Sequence, residues 1–174
     1  TTDTLAPITE FPLDFDQRHT ITALISVISP EKWDVEWFGM KVPSNWGLNV
    51  VGHFGSGLPY TATDNKGGRL GERNEARIPA NFTVDMKFNK DFGVTSSGKY
   101  LLSLFMEVDN LLNRRNILNV YTNTGRPDND GQILGTGVAL NNPGVISYYN
   151  HLYDHDPQNF ASPRTIRLGL DLSF

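Results

Sequence analysis

PRTIRLGLDLSF, residues 163–174, alternates without a break. Ile166, Leu168, Leu170, Leu172 and Phe174 share one side of the run. Thr165, Arg167, Gly169, Asp171 and Ser173 share the other. A period of two belongs to a β-strand whose two faces meet different surroundings. Chain ends are ordinarily solvated and frayed, yet this run stops on an aromatic residue. Phe174 is therefore expected to be held, in a core or in lipid.

The same pattern recurs upstream. Residues 18–29 put Ile21, Ala23, Ile25 and Val27 on one side, and Pro30 ends the run because proline cannot donate to a ladder. Residues 46–57 set Trp46, Leu48, Val50 and Phe54 against Gly47, Asn49, Val51, His53 and Gly55, with Gly52 interrupting the apolar row. Residues 82–92 are the cleanest case: Phe82, Val84, Met86 and Phe88 oppose Thr83, Asp85, Lys87 and Asn89. Residues 99–109 follow, after the turn sequence GVTSSG at 93–98. A weaker strand is expected at 117–122, beyond a tight turn at 110–116. Segments 30–45, 58–81 and 123–162 read as connections, the first with aromatic anchors and the last unusually long.

The expected fold class is thus all-β and antiparallel, with about six strands. Strands do not alternate with helical segments, which argues against an α/β enzyme. No nucleophile, base and orienting group stand at a telling spacing. The chain has no cysteine, so neither disulfide nor thiolate chemistry is available. A net charge of -4 and the lack of a basic block argue against nucleic acid as a partner. No apolar run is long enough for a membrane helix. Barrel strands need far fewer residues, so a membrane barrel stays open. Thr1 suggests a processed or excised piece.

Asp85, Lys87, Glu107 and Asp109 fall on the polar sides of neighbouring strands, and Arg167 and Asp171 extend the row. Cross-strand pairing would join them into one charged wall. Tyr148 and Tyr149, deep in the long connection, are candidates for ligand contact or loop packing. His151, Asp154 and His155 carry metal-ligand chemistry, but their spacing matches no established site and the reading is no metal and no cofactor. Trp33, Trp37 and Trp46 suit an interfacial aromatic girdle or a stacking surface, with the girdle favoured for Trp46. His19 and His53 are isolated. Two architectures fit the alternation. A soluble sandwich would turn the apolar rows inward, while a membrane barrel would turn them to lipid and line a wet lumen with the charges.

Five stretches in order resemble one family. They are LDFDQRH (13–19), GSGLPYT (55–61), RIPANFTVDMKF (77–88), LFMEVDNLLNRRN (104–116) and PRTIRLGLDLSF (163–174). Together they resemble the C-terminal part of the β-barrel of TonB-dependent outer-membrane receptors, of the type carrying a carboxypeptidase-regulatory-like domain. The resemblance spans all but loops 30–45 and 123–162. It implies roughly the last six strands of a barrel of about 22, in the bacterial outer membrane, with no enzyme activity. It also implies partners: outer-membrane lipid, the rest of the barrel with its N-terminal plug, TonB through the missing N-terminal region, and the barrel-assembly machinery through the C-terminal strand. Uptake of a nutrient ligand would be the function of the whole receptor. With Phe174 at the periplasmic rim, loops 123–162, 93–98 and 30–45 are expected outside, and 110–116 and 58–81 in the periplasm. A soluble all-β binding or adhesion domain and a smaller autonomous barrel are the alternatives.

Overall fold

The computed structural model describes residues 10–93, 101–131 and 156–173. The strands, in chain order, are β1 (Thr20–Ile28), β2 (Glu36–Trp37), β3 (Met40–Lys41), β4 (Trp46–Gly55), β5 (Pro59–Tyr60), β6 (Ala76–Arg77), β7 (Asn81–Gly93), β8 (Leu101–Asp109) and β9 (Thr165–Ser173). A 3-10 turn at Pro157–Asn159 is capped by the Asp156 carboxylate, and there is no α-helix among the described residues. The chain divides into two compact units. One comprises 1–20, 55–81 and 115–161, and the other 21–54, 82–114 and 162–174.

The second unit is built on a five-stranded sheet in the order β1-β4-β7-β8-β9. It is antiparallel throughout. A bond from Ser29 N to Trp46 O and one between Thr22 Oγ1 and His53 Nδ1 place β1 on β4. The bond from Asp91 N to Asn45 O places β4 on β7. Phe88 then stands opposite Met106, and Met106 opposite Leu168. Each pleat therefore continues across strands. Ile21, Leu48, Met86, Leu104 and Leu170 belong to one face. Thr22, His53, Lys87, Glu107 and Arg167 belong to the other. Strong alternation specifies this register, because a slip of one residue would exchange the faces of a whole strand.

Four expected strands, 18–29, 46–57, 82–92 and 99–109, appear within two residues of their expected ends, and 163–174 appears as β9. Residues 117–122 form no strand, which corrects the expected six to five. Their alternation finds no ladder: Ile117 bridges Phe160 alone, and the chain then turns at Tyr121–Arg126 with Gly125 at φ +69°. This has a topological consequence. β8 and β9 are adjacent partners, so residues 110–164 are one connection from one end of the sheet. Residues 56–80, between β4 and β7, leave from that same end. Residues 29–45 and 94–100 leave from the other, where β9 finishes. The expected division of 110–116 from 123–162 onto opposite sides is overturned, as is the grouping of 30–45 with 123–162.

The first unit has short ladders. Pro59 pairs with Arg77 and Tyr60 with Ala76. A Cβ on Gly57 would lie 1.6 Å from the Ile78 carbonyl oxygen, so only glycine permits this approach. Among the described residues, the only buried hydrophobic side chains are Ile78 and Val108.

Candidate functional site

The polar face of β7, β8 and β9 gathers most of the expected charged wall. Register places Lys87 opposite Glu107 and Glu107 opposite Arg167. Lys87 Nζ donates to Glu107 Oε1 at 2.7 Å, and Arg167 Nε donates to Glu107 Oε2 at 3.3 Å. Arg167 Nη1 reaches Asp109 Oδ2 at 2.8 Å. Four side chains thus alternate in sign across three strands. All are at least a quarter exposed, so solvent screens each pair and its contribution to stability is small. The arrangement is a solvated, charge-balanced surface, with no isolated acid or base positioned to react.

Asp85 and Asp171 stand apart from that network. Asp85 Oδ1 accepts from Asn110 N at 2.8 Å and so closes the turn after β8. Asp171 faces Ser103, whose hydroxyl donates instead to Asp91 at 2.7 Å. Next to the ladder, Phe105 covers Gly169: a Cβ there would come within 2.2 Å of the ring. Lys87 Nζ lies 5.8 Å from the same ring. The polar face therefore includes one aromatic side chain beside the cations.

The opposite face is apolar and uncovered along β9. Ile166, Leu168, Leu170 and Leu172 are 58%, 73%, 68% and 57% exposed. Phe174, the last member of that row, lies outside the described residues. So do Tyr148, Tyr149, His151, Asp154 and His155. Among the described residues no group of three metal-ligating side chains occurs. Trp46 stacks on Phe88 at 6.2 Å and meets Trp33 edge-on at 6.5 Å, so two of the three tryptophans form one cluster.

Several key residues escaped the sequence reading because their roles are long-range. Asn74 is 4% exposed with φ +58°. Its Nδ2 donates to Pro12 O at 2.8 Å and to Asp14 Oδ1 at 2.6 Å, which ties down the LDFDQRH segment. Arg77 donates to Asp16 O and Gly57 O at 2.8 and 3.0 Å, and pairs with the Asp16 carboxylate. Asn74's amide and the nearby Arg73 hold Asp14 below its ordinary aspartate value. A cavity of about 270 Å³ sits beside these groups, lined by Glu10, Pro12, Arg18, Glu72, Arg73, Asn74, Glu75 and Arg77. Its arginines pair with carboxylates behind the lining: Arg18 and Arg77 with Asp16, and Arg73 with Asp14. Asn110, at φ +52°, holds the turn within NLLNRRN: it accepts from Arg114 N at 3.0 Å and donates to Arg114 O and Ser162 O. An asparagine inside a turn sequence was the only available signal.

No known family profile, no curated protein and no solved structure matches this chain.

Proposed function

We propose that this chain is a wall segment of a TonB-dependent receptor barrel in the bacterial outer membrane. One observation carries the reading. A five-stranded sheet presents an apolar face, exposed to 57–73% along β9, back to back with a face of alternating charge. A soluble sandwich would bury such rows, because exposed apolar surface in water favours association. Hydrocarbon on one side and an aqueous lumen on the other satisfy both faces. Strand length agrees. Strands of nine to thirteen residues, tilted by about 45°, span roughly 22–31 Å, against an apolar band of about 25 Å.

The sheet edges at β1 and β9 need partners in lipid, and the remaining barrel strands would supply them. β1 and β9 run in the same direction, so an antiparallel closure requires an odd number of added strands. With β9 ending at the periplasmic rim, connections 56–80 and 110–164 both lie outside, and 29–45 and 94–100 lie in the periplasm. The long periplasmic connection is then 29–45 and not 58–81. The outer connections would then capture ligand, and the plug, moved by TonB, would pass it inward. No step in this reading is catalytic.

The experiment is fractionation of the chain expressed in a Gram-negative host. The reading expects outer-membrane material extracted by detergent and left in place by alkaline carbonate. A monodisperse, detergent-free soluble monomer overturns it.

A further inference from the structure

Residues 30–45 do more than reverse the chain. β2 and β3 form a hairpin in which Trp37 pairs with Met40 across Phe38 and Gly39. Phe38 has φ +51° and Gly39 φ +75°, the left-handed pair of a two-residue hairpin turn. Glycine or asparagine normally occupies the first position, since a bulky side chain is strained there. The turn nonetheless carries its aromatic ring into the open: Trp37, Phe38 and Met40 are 71%, 90% and 70% exposed. Behind the tip the hairpin is polar, with Lys41 paired to Asp34 at 3.6 Å.

Both legs of the hairpin are fastened to the apolar face of the sheet, at one rim. Trp33, on the entering leg, packs against Trp46. On the leaving leg, Pro43 O accepts from Trp46 Nε1 at 2.9 Å and Ser44 O accepts from Lys90 Nζ at 2.5 Å. Lys90 is the one charged side chain on that face within the five strands. Its ammonium lies 4.8 Å from the Phe92 ring centroid and turns toward the hairpin leg. A lysine at the edge of hydrocarbon places its head toward the polar layer in this way. Tryptophans gather at the same depth.

We propose that the β2–β3 hairpin is a membrane-interface anchor, with the Trp37-Phe38-Gly39-Met40 tip seated among phospholipid headgroups beside the sheet's apolar face. The inference rests on the membrane reading above. Lipid is the occupant favoured over a second copy because three side chains offer roughly 600 Å² at most. A standard protein interface buries about 800 Å² on each partner.

The chain has no cysteine, so single labels can be placed cleanly. Met40→Cys reports the tip and Leu168→Cys reports the sheet face. Each carries an environment-sensitive fluorophore, in phosphatidylcholine vesicles with or without acyl-chain bromination, and circular dichroism checks that the strands persist. The expected result is a blue shift and bromine quenching at both positions. Phe38→Gly, which relieves the turn, is expected to keep the fold and to lose quenching at position 40. Quenching at 168 without quenching at 40 overturns the anchor and leaves the membrane reading standing. Quenching at 40 alone overturns the membrane-spanning sheet, and with it the anchor as placed beside that sheet. Quenching at neither overturns both. Shielding of the position-40 label that depends on protein concentration and not on lipid overturns the anchor in favour of a second copy.

Discussion

The two units of the chain are held together by different physics. In the sheet unit, paired strands of nine to thirteen residues carry the order; side chains of the edge strands β1 and β9 are exposed, and those of β4, β7 and β8 are mostly half-buried. In the other unit, two-residue ladders, single bridges and turn bonds are joined by side-chain clasps: Asn74 and Arg77 reach segments some sixty residues away. A ladder tolerates a change in any one side chain because its bonds are made by the backbone. A side-chain clasp does not, because one residue satisfies several buried groups. The first unit should therefore be sensitive at single positions, and the sheet unit sensitive mainly to its solvent.

The sharpest break in that comparison is Gly57→Val. Its Cβ would overlap a backbone oxygen that cannot rotate away, so the expected cost is more than about 3 kcal/mol. Thermal unfolding in detergent micelles should show it as a collapsed midpoint, and a wild-type melt would refute the clasp picture. Leu168→Arg tests the sheet from the solvent side. In water a 73% exposed position should change by less than about 0.5 kcal/mol. In a bilayer the same change should cost about 2–4 kcal/mol at mid-depth. Comparing denaturation in vesicles with that in solution separates the two media, and equal costs would remove lipid from the account.

Asn74→Ala should cost about 2 kcal/mol, because Pro12 O and Asp14 lose their shared donor. Limited proteolysis should then cut first within 10–19, and unchanged cleavage would mean that other contacts hold that segment. The smallest effect is the pH dependence of the same clasp. Asp14 is held below its ordinary value, chiefly by Asn74's amide and then by Arg73. Its contribution is present above the unfolded-state pKa of about 3.9, and is lost as pH falls through the lower folded value. Acid cleavage within 10–19 should rise below about pH 4 in the parent chain and stay level in Asn74→Ala. A rise at neutral pH would point to another group.

The resemblance to an outer-membrane receptor was drawn from five short stretches, and three of them contain the structural clasps. LDFDQRH carries Asp14 and Asp16, RIPANFTVDMKF carries Arg77, and LFMEVDNLLNRRN carries Asn110. Their spacing is explained by turns and long-range hydrogen bonds within this chain. The wall of Lys87, Glu107, Asp109 and Arg167 was legible because pleat and register are both set by strict alternation. Asp85 and Asp171 share that alternation, yet a turn amide takes one and Ser103 turns from the other toward Asp91.

Alternation alone determined five strands, their antiparallel class and the division of their residues into two faces, because a pleat sends successive side chains to opposite sides. It did not determine whether a segment finds a partner. Ile117–Thr122 alternates and makes only isolated bridges, and that one difference moved the connections 30–45, 58–81, 93–98 and 110–116 to the other end of the sheet relative to β9. Pairing is a long-range event, settled by which backbones meet. Tertiary structure also decided that Asn74, Arg77 and Asn110 are clasps, since their acceptors are brought near only when distant segments come together. It further left the apolar rows of β9 uncovered, which residue order cannot express because alternation records contrast between faces and not which face is outside.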